Sequence, residues 1–194
     1  EPSINGVERL PTELNMFHAS PLLMRTPHWH AQVEVNYIVR GWAHYAMSGY
    51  EVRFSAGDLA LFWGGQPHRL DDASDDLVYT GGHLPLVHFF RLRLPQDVQT
   101  GLMQGASLVT KATDPSDALN FARWNDYVRS DDPLRVSVAV DELLLRIERI
   151  RFAPYELLSS HPIKLDRSAT DQHISPIVVR ICDFIADNFR EDID

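Results

Sequence analysis

Three histidines and one glutamate stand at spacings that could hold a metal ion. His28, His30 and Glu34 fall within one short stretch, and His68 follows the Gly64-Gly65-Gln66-Pro67 turn further along the chain. On a strand, residues two or four apart point to the same face, so His28, His30 and Glu34 can share one. Two imidazoles and a carboxylate from one strand, met by an imidazole from another, form a nitrogen–oxygen cage. Imidazole suits zinc, iron, nickel and copper, and carboxylate adds manganese. Such a set leaves open positions on an ion that prefers five or six ligands. A zinc-like ion would sit about 2.0–2.2 Å from each donor. The residue types alone leave a second reading open, in which the same side chains hydrogen-bond one another in a polar pocket without a metal.

The elements that must position these residues are β-strands. From Pro27 to Arg93 the pattern is β throughout. Residues 33–39 are rich in β-branched and aromatic types and mostly alternate. Strands follow at 42–47, 50–54 and 59–63, separated by Ser48-Gly49 and Gly57-Asp58 turns, with more at 77–79 and 86–94. A further short strand is expected around Met16–His18. Many short strands at this spacing suggest a sandwich or barrel. Beyond Pro95 the period changes. Residues 116–130 read as a helix, and Pro133 opens a longer one. In the latter, Val136, Val140, Leu143, Ile147 and Ile150 step at heptad spacing. That row suits either a helix packed on the barrel or a helix–helix dimer seam. Residues 153–172 read as a polar linker. Ser175-Pro176 then caps an amphipathic helix carrying Ile177, Ile181, Ile185 and Phe189. The four aspartates Asp71, Asp72, Asp75 and Asp76 read as a solvated loop, Trp29 as packing, and His83 and His88 as core or surface histidines.

Composition narrows the function. The 194 residues include 18 Lys+Arg against 27 Asp+Glu, a formal net charge of −9. An acidic balance argues that this chain is not itself a DNA-gripping module. The single cysteine, Cys182, allows no internal disulfide and fits a reducing compartment. No apolar run reaches the 18 or so residues of a membrane span, and no leader opens the chain, so a cytoplasmic location without membrane partners is expected. The chain opens on Glu1 rather than Met, which reads as a piece of a longer protein.

The spacing of the four candidate ligands resembles the cupin family, whose two motifs read G-x5-H-x-H-x3,4-E-x6-G and G-x5-P-x-G-x2-H. His28, His30, Glu34 and Gly41 match the first; Gly57, Gly65 and His68 match the second. Leu22 stands where the first motif opens on Gly, and Trp63 where the second has Pro. The resemblance implies a mainly β fold: a double-stranded β-helix (jelly-roll) barrel followed by α-helices, α+β overall. "HWHAQVEVNYIVRG" and "GDLALFWGGQPHRL", with "ISPIVVRICDFIADNF" near the end, are similar to the AraC family of transcription regulators, most of all its melibiose-operon type. That resemblance covers nearly the whole chain. It implies an effector-binding barrel at 1–95, a helical dimerisation segment at 96–152, a linker at 153–172, and at 173–194 the first helix of a C-terminal helix-turn-helix domain. It further implies a homodimer and a small-molecule effector, often a sugar. DNA would be contacted only through the C-terminal domain. Asn36 and Arg40 share the strand parity of Glu34, and Tyr45 and Trp63 could offer apolar platforms, so these four are expected to bind the effector. Two functions follow: a sensing domain of a regulator, which is not an enzyme, or a metal-dependent cupin enzyme, an isomerase or dioxygenase. A seam helix, a linker and a trailing helix favour the regulator.

Overall fold

The computed structural model describes residues 13–20, 23–111 and 114–163. The expected helix at 173–194 and most of the expected linker lie outside them. Among the described residues nine strands form two sheets. The larger runs β1 (Asn15–Ala19), β7 (Val78–Leu84), β2 (Val33–Arg40), β5 (Asp58–Trp63), β8 (Ser107–Lys111) and β9 (Tyr155–Leu158), in that order. The smaller runs β4 (Tyr50–Ser55), β3 (Trp42–Met47) and β6 (Arg69–Ala73). Every pairing is antiparallel. This is the β sandwich-barrel followed by helices that the strand spacing predicts.

Central strands here are buried on both sides, which explains their composition. In β2, Val33 and Val35 face a core shared with the helices. Ile38, two positions on from Asn36, faces a second core between the sheets, with Tyr45, Phe54, Phe62 and Leu70. A strand covered on both faces loses its simple apolar–polar alternation. Among the described residues four α-helices follow or interrupt the strands: α1 (Leu86–Phe89), α2 (Gln96–Met103), α3 (Asp117–Val128) and α4 (Pro133–Glu148). α4 starts where the sequence places it, with Pro133 in its first turn and the Asp132 carboxylate accepting from Leu134 N–H at 3.0 Å. α3 and α4 are clipped by a buried bidentate pair, Arg146 Nε and Nη2 to the Asp117 carboxylate, each at 2.7 Å.

Several expectations are corrected. Residues 86–94 do not continue the sheet. Pro85 precedes a single helical turn, and the 86, 89, 90 spacing of Leu86, Phe89 and Phe90 follows a helix, not a strand. The aspartates Asp71 and Asp72 lie on β6, an edge strand with exposed positions that tolerate charge. The barrel does not close at residue 95, because β8 and β9 extend its larger sheet. Thus the stretch read as the start of a linker supplies a strand, Tyr155–Leu158, whose residues Tyr155 and Leu157 pack on the core.

The row proposed as a dimer seam is mostly interior. Leu143 and Ile147 are fully buried and Ile150 nearly so, while Val136 and Val140 are half-buried. The heptad step arises because one narrow face of α4 packs on this chain's own core, beside Phe121 and Trp124 of α3. The apolar residues that α4 leaves exposed are Leu134, Val138 and Leu145. Among the described residues no helix is long and apolar enough to cross a membrane.

Candidate functional site

The four candidate ligands converge. One nitrogen or oxygen from each of His28, His30, Glu34 and His68 lies within 4.8 Å of the others. Backbone pairing brings them there. His28 and His68 form an antiparallel bridge, each N–H donating to the other's carbonyl at 3.0 Å. His30 N–H donates to Gly64 O at 2.8 Å, and Gly64 N–H returns to Gln32 O at 2.9 Å. The segment before β2 is thereby laced to the turn after β5. Gly64 has a steric role: a Cβ there would stand 2.1 Å from the His30 ring. The imidazole occupies space that any larger residue would fill.

Glu34 is the centre of the cluster. Its Oε1 accepts from His30 Nε2 and from His68 Nε2, both at 3.0 Å. Its Oε2 accepts from Asn36 Nδ2 at 2.9 Å. Burial alone would raise the Glu34 pKa, but the imidazole hydrogen bonds outweigh it and hold the carboxyl well below the usual range. His68 also donates from Nδ1 to Gln66 O at 2.7 Å. Burial pushes the His68 pKa down, yet its bond to Glu34 prevails and raises it. His28 goes the other way. Its burial, then the nearby His68, lower it to about 4.

The donor set fits a divalent ion. Three imidazole nitrogens and one carboxylate oxygen match the preferences of zinc, nickel, iron and manganese. His28 is held neutral at ordinary pH, as a ligand must be. His30 Nε2 and His68 Nε2 face the carboxylate, while the His68 Nδ1–H···O=C bond would fix that ring's orientation with an ion bound. His30 Nδ1 is buried without a hydrogen-bond partner.

The His28 shift gives a testable pH dependence. An unfolded histidine titrates near 6.5. Above that pH both states are neutral. As pH falls from 6.5 toward about 4, the unfolded chain takes up a proton that folded His28 refuses, so stability is lost. Below about 4 this contribution levels off. In chelator, the wild-type melting temperature should therefore drop more steeply across that window than that of His28→Asn. Parallel melting curves would rule this out.

The expected effector contacts divide. Asn36 is buried and bonded to Glu34, as its parity implied. Tyr45 is also interior, packed with Phe54 and Phe62, and burial raises its phenol pKa well above the ordinary value. Arg40 is not interior. A register shift between Ile38 and Arg40 breaks the alternation, and the guanidinium lies in solvent, donating to Asp76 O at 3.0 Å. Trp63 faces the helical side, since its parity on β5 is that of Leu59 and Leu61. Its Nε1 donates to Ala31 O at 3.0 Å. Trp29 is 67% exposed, so it does not pack as expected. His83, read as an ordinary histidine, stands opposite Glu34 in the β2–β7 register with Nε2 3.8 Å from Glu34 Oε1. Its pairing depends on strand register, which no local pattern reveals.

The Cupin domain family model matches residues 20–79, the segment that carries His28, His30, Glu34 and His68. The Melibiose operon regulatory protein of Escherichia coli K12 is 27% identical over 173 residues, covering 89% of this chain and 57% of the relative. The chain thus spans little more than half the length of the curated relatives it matches. Among solved structures, ToxT from Vibrio cholerae O395, bound to (E)-4-(8-methylnaphthalen-1-yl)but-3-enoic acid, overlays 94% of this chain and 67% of its own at 9% identity, with a TM-score of 0.47. A point mutant of Bacillus subtilis oxalate decarboxylase OxdC overlays 47% of this chain and 29% of its own at 19% identity, with a TM-score of 0.29.

Proposed function

From the match of residues 20–79 to the Cupin domain family model and the likeness of the chain to a melibiose-operon regulator, we propose that it is the effector-sensing and dimerisation part of an AraC-type transcription regulator. The observation that carries this reading is the likeness to a regulator along 89% of the chain, helices included, rather than along the barrel alone. A stand-alone cupin enzyme needs the barrel but not the layer of α3 and α4. The effector is a small molecule, of which a sugar is the type the family resemblance suggests. It binds at the His–Glu centre, where Asn36 bonds to Glu34 and Tyr45 is a further interior polar side chain. A divalent ion held by His28, His30, Glu34 and His68 would supply Lewis acidity toward an effector oxygen. The protein's own residues orient that oxygen and exclude water. Two copies associate through the exposed Leu134, Val138 and Leu145 face of α4. DNA is contacted by a C-terminal region outside this chain, and the whole works in the cytoplasm.

Calorimetric titration of the metal-loaded chain with mono- and disaccharides tests the sensing role, with product analysis of the same samples. Saturable binding without turnover is the expected result. Conversion of a bound sugar, or consumption of dioxygen, would favour the cupin-enzyme reading instead. The same chain should leave operator DNA unshifted below about 1 µM at near-physiological salt, since an acidic protein cannot supply the phosphate neutralisation such complexes rest on.

A further inference from the structure

We propose that His83 is a fifth protein ligand of a divalent ion bound at the centre, joining His28, His30, Glu34 and His68. The inference rests on the reading of that centre as a metal site. The β2–β7 register sets His83 directly across from Glu34. Directly opposed residues of an antiparallel pair project from the same face, with Cβ atoms about 5 Å apart. His83 therefore points into the barrel on the side that carries the carboxylate. Its Nε2 lies 3.8 Å from Glu34 Oε1. Two donors on one ion, each bonded at about 2.1 Å, stand up to about 4.2 Å apart. The observed separation falls inside that span. The His83 ring also lies against His30, with centroids 4.5 Å apart and planes inclined by 36°. His83 is outside the group of four whose donor atoms all come within 4.8 Å, so joining them requires its side chain to rotate toward the centre.

β7 runs between β1 and β2, and β1 supplies Phe17, whose ring meets the His83 ring edge-on at 5.5 Å. The imidazole is thus supported from behind and directed at the carboxylate. A packing role would be met equally well by an apolar ring. What an imidazole adds beside a carboxylate and three others is a donor nitrogen. With His83 bound, the set is four nitrogens and one oxygen. A six-coordinate ion then keeps one open position rather than two, and an added ligand attaches through one atom instead of chelating.

Co2+ is the probe, added to the full chain as wild type, His83→Ala and His83→Gln. The apo proteins are first compared by melting temperature; Gln keeps the bulk should Ala fail to fold. We expect Co2+ affinity to fall about tenfold or more in both variants. In proton NMR of the Co2+ protein, each coordinated imidazole contributes one hyperfine-shifted, exchangeable ring N–H. The wild type should show four and the variants three. Three signals in every protein would overturn the proposal, even with weakened affinity, because His83 would then only position His30. Unchanged affinity and an unchanged count would overturn it equally. Failure of the wild type to bind Co2+ would sink the metal reading and this inference together, which separates that outcome from loss of His83 alone.

Discussion

Aspartate at position 143 is expected to unfold the domain rather than divide a dimer. Leu143 is fully buried in the core that joins α4 to the larger sheet, and Ile147, one turn on, is buried with it. Truncating a buried leucine to alanine costs about 2–5 kcal/mol. A carboxylate in the same place adds the penalty of an unpaired buried charge, and the total approaches the roughly 5–15 kcal/mol that holds a domain together. Leu145 offers the contrast, because it is 58% exposed on the opposite side of the same helix. Leu145→Asp should keep its circular dichroism and melting temperature but lose mass in light scattering, as two copies separate. Leu143→Asp and Ile147→Asp should lose the folded signal altogether. If Leu143→Asp stays folded and becomes monomeric, the buried row is the partner surface after all. If Leu145→Asp stays dimeric, α4's outer face is not the contact.

Glu34→Gln should abolish tight metal binding while leaving the barrel folded. The substitution keeps the size of the side chain and removes the only anionic donor among His28, His30, Glu34 and His68. The loss should exceed the roughly 10–100-fold that follows when a supporting outer residue is removed. Asn36→Ala is that milder case. It takes away the amide that donates to Glu34 Oε2 at 2.9 Å, and binding should weaken within the 10–100-fold range. Chelator competition with Zn2+ or Ni2+ measures both. Equal affinity of Glu34→Gln and wild type would mean that the carboxylate takes no part in holding the ion.

The four ligands were legible from their spacing and the turn before His68, not from strand parity: Glu34 alone lies on β2, and His28 and His30 precede it across a bend at Ala31 and Gln32. Val33–Arg40 carries Glu34, and the turn Gly64–Pro67 delivers His68. The period change after Pro95 likewise marked α3 and α4. Position 83 was not legible, because its meaning depends on which strand lies beside β2 and in what register. Arg40 misled for a related reason: alternation predicts its face only if the strand runs without a bulge, and the bulge forms through pairing with β7. The α4 row misled because a heptad step describes a narrow apolar face without saying what covers it. Trp63 was read as an effector platform from its ring alone, whereas its place in β5 sends it to the helical side.

β9 pairs with β8 from beyond the helices and replaces it as the edge of the larger sheet with a shorter strand of 4 residues, which bears on how the protein is made. Until Tyr155–Leu158 is available, β8 offers an open edge on one side. Such an edge, carrying Leu108 and Val109, is a template for pairing with other chains. A nascent chain released after η1, the short 3-10 turn Arg149–Phe152, would hold every barrel strand but the last. The vulnerable moment in synthesis is therefore late, and chaperone demand should peak while α3 and α4 are already formed but the edge is still bare.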